Sequence, residues 1–374
     1  MTDFDSVIWA VEHGLLKPEK EKEDPVEKMG LIERMAHYKV PGISVALVNE
    51  GEVVWAKGYG VMEVGMDRAV TADTIFQAGS ISKPVTGLVA LHLVEAGVLD
   101  LDVDVNDVLQ SWKVPESKHT RVRRNGEYPV VTLRGLLSHS AGVNLRGYRG
   151  YLSDRPLPTL QQILLGEKPP ANSLPVQVTQ KPGKGFKYSG GGYLIAQQLI
   201  EDVTGRPLAD LAQELIFDKL GMASSTFTCP LPQIFVPRAA TAHNRAGKQV
   251  PGKWHIYKEQ AAGGLWSTPS DLARVLVEVI KSNRNESNLI ISQEMTQQLL
   301  TAQKGIGGLG FLITYEDGKP RFGHNGWTEG YHSLLIGNPD NEQGYVWMTN
   351  GENGAKLGSE LTRGLIEAFG WTWY

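Results

Sequence analysis

"FQAGSISKPVTGLVALHLVEAG", residues 76–97, sets a serine, two further residues and a lysine where an apolar helical run begins. The pattern predicts a helix from Ile81 to Gly97, with Gly97 as its stop. Residues three apart share a helix face, so the amine of Lys83 can approach the hydroxyl of Ser80. The positive end of the helix dipole and burial both disfavour an ammonium, which moves such a lysine toward the neutral base. Backbone N–H groups at that end can also face an oxyanion. Two readings stay open here: a nucleophile with its base, or a capping serine with a surface lysine, because S-x-x-K is short and recurs by chance.

Upstream of this segment, "VEKMGLIERMAHY" (26–38) has the apolar spacing of an amphipathic helix. "GISVALVNEGEVVWAKGYG" (42–60) reads as a hairpin turning around Asn49-Glu50-Gly51. Downstream, helices separated by glycine- and proline-bearing loops run to about residue 300; "TLRGLLSHSAG", "GYLIAQQLIEDVTG", "LADLAQELIFDKLG" and "TPSDLARVLVEVIKS" are the clearest. Strand patterns return in "GFLITYEDGKPRFGHNG" and "YHSLLIGNPDNEQGYVWMTN", and "AKLGSELTRGLIEAFGW" closes the chain as a helix. Strands at both ends with helices between them predict an α/β (α+β) fold, in which an antiparallel sheet built from both termini carries a helical insertion. The expected division is an α/β sheet domain of residues 1–78 and 302–374, and a mostly helical domain of 79–301.

Composition narrows the function. With 374 residues, 41% hydrophobic and 21% charged, the chain can bury a sizeable core as a globular protein. The net charge is −4, and no basic block exceeds "RVRR" at 121–124, which argues against nucleic acid or an anionic membrane as partner. Cys229 is the sole cysteine and the nine histidines are scattered, so neither a disulfide framework nor a metal site is expected. No cofactor is expected either: "GIGGLG" at 305–310 is followed by strand-like "FLITY" rather than a helix. No run approaches the roughly 18 apolar residues of a membrane span. "MTDFDSVIWAVEHGLL" lacks the basic start of a secretory leader, so a cytoplasmic location is expected.

Two further segments carry chemistry. "KYSGGGY" (187–193) precedes a helical run and offers the Tyr188 hydroxyl beside three glycines. "GHNGWTEG" (323–330) brings His324 and Gly326 into a strand, where a residue without a side chain leaves room alongside. Each alone fits ordinary packing. Their order around a strand–helix–strand layout is far more specific.

With these motifs the sequence resembles the class C β-lactamases, penicillin-binding DD-peptidases, D-aminopeptidases and related esterases. The resemblance runs from about residue 26 to 370 and includes "PGISVALV", "KLGMASSTF", "AAGGLWSTPSDLA" and "GLGF". It implies a β-lactamase/transpeptidase-like fold with the active site in the cleft between sheet and helical domains. It also implies Ser80 as acylated nucleophile, Lys83 as its amine partner, and Tyr188 as base and then acid. His324-Asn325-Gly326 stands where Lys-Thr-Gly is common, which makes His324 a further catalytic residue facing the substrate, with the Ser80 and Trp327 N–H groups as oxyanion hole. Ser189, Gly190, Asn325 and Gly326 would border the substrate.

Two departures bear on substrate. Gly190 replaces an asparagine that orients an acyl-amide in the family, and His324 replaces a lysine that helps hold a carboxylate. Both favour small esters or amides over efficient β-lactam turnover. The alternatives are a D-aminopeptidase, a DD-peptidase or β-lactamase, and, in another class, a non-catalytic binding or scaffold protein. His139 is expected to stabilise a loop, and Trp254, His255 and Tyr257 read equally as core and as cleft wall.

Overall fold

Two strands from the N-terminal part of the chain and four from the C-terminal part meet in one six-stranded antiparallel sheet, ordered β2-β1-β8-β7-β6-β5. The computed structural model describes residues 4–15, 28–120, 129–316 and 318–373. The strands of this sheet are β1 (Gly42–Asn49), β2 (Glu52–Gly60), β5 (Leu312–Glu316), β6 (Lys319–Thr328), β7 (Tyr331–Asn338) and β8 (Gln343–Thr349). The first hairpin turns through Glu50 and Gly51 at φ 52° and 67°. That pair of positive φ values is a mirror-type turn, whose twist matches the strands it joins. A short two-stranded ladder, β3 (Phe76–Gln77) with β4 (Trp266–Ser267), completes the strands.

Both faces of the sheet are covered, which explains why β1 is buried over all but its last residue. Ile43, Val45 and Leu47 point to one side with Tyr345 and Trp347 of β8, against the terminal helices Phe4–His13, Leu31–Tyr38 and Gly354–Phe369. Ala46 and Val48 point to the other side, with Val346 and Met348. The strand's period of two sorts these residues onto two cores. Each fully buried aliphatic or aromatic side chain contributes roughly 1.5–3 kcal/mol.

The helix Pro269–Asn283 lies against this second face, packing on β1, β2, β7 and β8. It falls within the interval 79–301 assigned above to the helical domain. Its moment is plain in the sequence, but the partner of its apolar stripe is not. The hydrophobic core on this face continues from this helix into Ser82–Glu95 and Gly190–Thr204, so sheet and helical regions share one apolar interior.

The expected helix at 26–38 is present as Leu31–Tyr38; residues 26–27 and the basic run at 121–124 lie outside the described residues, and Met29 pairs with Leu15 in an isolated bridge instead of joining the helix. Arg34 on this helix donates to both oxygens of Glu360 on the last helix, at 2.7 and 2.6 Å, and Tyr38 donates to the same carboxylate at 2.5 Å. This buried fork ties the two ends of the chain together. Among the described residues no helix is long and apolar enough to cross a membrane.

Candidate active site

Ser80 lies in the tight turn Gly79–Ile81 that leads into the helix Ser82–Glu95. Four hydrogen bonds fix this turn. Ala78 N–H donates to Leu265 O at 2.8 Å, and Ser82 Oγ donates to Gly79 O at 2.6 Å. Ser82 Oγ also accepts from Leu265 N–H at 3.0 Å, and Ser333 Oγ donates to Ala78 O at 2.9 Å. Gly79, at φ 53°, presses against the backbone of Trp327; a Cβ there would stand 2.6 Å from the Trp327 nitrogen. Gly326 is equally tight, because a Cβ would meet Ala78 O at 2.0 Å. The two glycines let strand β6 come flush against the serine turn.

Register then aims the Trp327 peptide. Thr328 and Tyr331 close the β6–β7 hairpin, and Trp327 pairs with His332 next to them. Alternation of hydrogen-bonded and non-bonded pairs turns the Trp327 N–H away from β7, toward the serine turn. The indole is half exposed and held by its Nε1–H to Glu352 at 3.1 Å.

Lys83 is 1% exposed. Its Nζ is 2.9 Å from Ser80 Oγ and donates to Ala262 O at 2.6 Å. The rings of Tyr188 and Tyr193 lie 5.1 and 5.5 Å from the nitrogen, and among the described residues no carboxylate pairs with it. Burial therefore pushes its pKa down to about 7. At that value much of the amine is neutral, so its lone pair can accept the Ser80 proton across the same 2.9 Å contact. Tyr188 moves the other way: burial raises its phenol to about 12, opposed by the Ser80 hydroxyl and by Arg146. It stays a proton donor at neutral pH.

His324 is 2% exposed and stands behind Tyr188, its Nε2 3.4 Å from the phenol oxygen. Its Nδ1 lies 2.6 Å from Asn325 O, and donation there leaves Nε2 as an acceptor. Burial and the nearby Lys83 hold its pKa down at about 3, so the ring is neutral. This corrects the expectation that His324 faces the substrate. On an alternating strand the exposed neighbours Asn325 and Trp327 point into the cleft instead.

The other expected substrate contacts divide in the same way. Ser189 donates to Asn144 O at 2.6 Å and accepts from Gly192 N–H at 2.9 Å, so its hydroxyl caps the helix Gly190–Thr204. Gly190 is buried beneath the segment 146–148, and Gly326 beneath Ala78. Of the four, Asn325 alone borders the cleft. His139 supports the site from below: its Nδ1 accepts from Ser189 N–H at 3.1 Å and its ring lies 4.3 Å from that of Tyr188.

Ser80 and Tyr188 open onto a cleft of about 1020 Å³ with apolar walls from Phe186, Ile306, Leu312 and Trp327. Tyr257 joins the wall, while Trp254 packs on Trp266 and His255 bonds Arg149 O. Arg146, Tyr148, Arg149 and Glu259 also line the cleft, and the reading of the sequence did not select them. The only local signal was the basic and aromatic "RGYR" at 146–149. Glu259 is fully buried near three phenols, and burial lifts its carboxyl to about 7. Among the described residues no cluster of histidine, cysteine or acidic side chains could hold a metal ion.

Residues 31–368 match the β-lactamase family. The unguisins hydrolase of Aspergillus violaceofuscus is 27% identical over 256 residues, which is 65% of this chain and 42% of that protein. The chain thus spans under half the length of that relative. Penicillin-binding protein 4 of Amycolatopsis lactamdurans is 26% identical over 348 residues, covering 89% of this chain and 86% of its own. Among solved structures, the octameric penicillin-binding protein homologue from Pyrococcus abyssi aligns with a TM-score of 0.72 and 28% identity, over 91% of this chain and 76% of that one. With the family matched over most of its length and the fold shared, this chain belongs to the β-lactamase family, with the β-lactamase/transpeptidase-like fold.

Proposed function

We propose that the protein is a serine hydrolase that forms an acyl-enzyme at Ser80 and acts on small carboxylic esters or amides. The observation that carries this reading is the 2.9 Å contact between Ser80 and a buried lysine that has no counter-ion among the described residues. Ser80 Oγ attacks the carbonyl carbon while its proton passes to Lys83 Nζ. The N–H groups of Ser80 and Trp327 hold the oxyanion; removing one such donor typically lowers the rate by about 10²–10³. The bond to the leaving group then breaks, and Tyr188 supplies the proton that the departing alkoxide or amine needs. Water then attacks the acyl carbonyl and gives a proton to the Tyr188 phenolate. The bond to Ser80 breaks, Ser80 Oγ takes back the proton held on Lys83, and the carboxylic acid leaves.

His324 and His139 are positioning residues in this scheme, holding Tyr188 from two sides. The cleft's apolar walls suit a compact acyl or aryl group, and Asn325 and Thr328 border the same space. The family includes proteins named for penicillin binding, so β-lactams are the competing substrate class.

The test is labelling with a fluorophosphonate and with a fluorescent penicillin, followed by peptide mapping. A phosphonate adduct on Ser80 without a penicillin adduct is the expected result. Adducts from both reagents would give the penicillin-binding reading the lead. Failure of both to label Ser80 would leave a binding protein that kept the fold without turnover.

A further inference from the structure

Gly190 stands where related enzymes carry an amide side chain, yet its space is not empty. A Cβ there would lie 3.2 Å from Arg146 O and 3.2 Å from Tyr148 Cε2. The segment preceding these residues is clamped onto the helix start. Leu145 O accepts from Gly190 N–H at 2.7 Å and from Gly191 N–H at 3.1 Å. Asn144 O accepts the Ser189 hydroxyl, and Leu145 takes φ 59° to make the turn. The outcome is that the Arg146 guanidinium sits 5.4 Å from the centre of the Tyr188 ring, on the cleft. It is exposed and forms no ion pair among the described residues.

The solvent-accessible charges of the cleft share a sign. Arg146, Arg149 and Lys187 line it, in a chain whose net charge is −4. Its one acid, Glu259, is fully buried, and its carboxyl is lifted to about 7. A cationic recess with low-dielectric walls concentrates anions. Three side chains on the same lining hold buried, unpartnered polar atoms: the Tyr148 hydroxyl, Thr328 Oγ1 and the Glu259 carboxyl. An arginine fork is suited to a carboxylate, which it can hold with two parallel hydrogen bonds.

We propose that Arg146, carried over Tyr188 by the segment that Gly190 admits, is the substrate-orienting group of this cleft, and that it selects substrates bearing a carboxylate. This rests on the serine-hydrolase reading and names its substrate class. The site exchanges an amide that reads a neutral peptide group for a guanidinium that reads an anion.

The test compares kcat/KM for matched anionic and neutral esters. Phenyl acetate against 4-carboxyphenyl acetate places the carboxylate on the leaving group. p-Nitrophenyl butyrate against the p-nitrophenyl monoester of adipic acid places it on the acyl group. In at least one pair the anionic-to-neutral ratio should fall about tenfold or more in Arg146→Gln, the size expected for a hydrogen bond between charged groups. Arg146→Lys should retain part of the preference, and Gly190→Asn, which pushes on Arg146 and Tyr148, should also reduce it. Ratios that agree within about twofold between wild type and Arg146→Gln in both pairs would overturn the proposal. If the wild-type protein turns over no ester, the hydrolase reading fails separately. The subsite is then read by calorimetry with 4-acetamidobenzoate against acetanilide. Loss of the carboxylate ligand's advantage in Arg146→Gln supports the proposal, and an unchanged advantage overturns it.

Discussion

Arg34 and Lys83 are both buried cations, and the protein treats them in opposite ways. Arg34 is 5% exposed and meets the Glu360 carboxylate through two short hydrogen bonds, with Tyr38 filling the remaining side. Its pKa rises, chiefly because Glu360 accepts its hydrogen bonds. Lys83 is 1% exposed and has a carbonyl and a hydroxyl for company, so its ammonium is disfavoured. The lesson is that burial alone does not set the state of a charge. A satisfied pair anchors the terminal helices; an unsatisfied one yields a base at neutral pH.

The strongest test of the contrast is to remove each cation. Lys83→Met and Ser80→Ala should each lower ester hydrolysis by about 10³-fold or more, since groups that act as one unit fail together. Steady-state rates on a p-nitrophenyl ester check this. A Ser80→Ala enzyme free of wild type that kept a tenth of the activity would break the assignment. Arg34→Met should instead cost stability, by about 3–5 kcal/mol, because it leaves the Glu360 carboxylate buried and unpaired. Urea unfolding reads that loss. A double change, Arg34→Met with Glu360→Leu, should recover a large part of it.

A change of pH sharpens the comparison. The unfolded chain binds the Lys83 proton up to about 10.5, whereas the folded protein gives it up near 7. The folded state therefore bears the full penalty below about pH 7, part of it between 7 and 10.5, and none above. Lys83→Met should raise the melting temperature more at pH 6 than at pH 9. The kcat/KM of wild type on a neutral ester should rise through pH 7 as the amine loses its proton. A profile flat from pH 5 to 9 would mean that another group takes the serine proton.

His324→Lys is a subtler probe. A lysine facing the substrate would raise the ratio of penicillin to neutral-ester kcat/KM by about tenfold, the worth of one charged hydrogen bond. The 2% exposure of His324 and its contact with Tyr188 predict otherwise. The ratio should stay constant while kcat falls, through loss of the acceptor behind the phenol. The smallest expected effect is none: dialysis against a strong chelator should leave the rate unchanged, and a loss restored by a divalent ion would contradict the lysine–serine scheme.

Much of this molecule is local, and the sequence alone determined that part. The one-turn spacing of Ser80 and Lys83, the mirror-type turn at Glu50-Gly51 and the period-two strands at both ends each depend on residues a few positions apart. They were legible because the geometry of one turn of helix or one hairpin fixes them. Facing and pairing were not legible. That Ser189 caps a helix, that His324 lies behind Tyr188, and that Pro269–Asn283 covers the sheet all depend on partners far away in the chain. The same holds for Arg146, which reaches the cleft because Leu145 is hydrogen-bonded to Gly190 and Gly191. The charge state of Lys83 is the clearest case. Nothing within a turn of it says whether a carboxylate will arrive from another element, and only the assembled core, with Ala262 O where a counter-ion could have stood, leaves it without one.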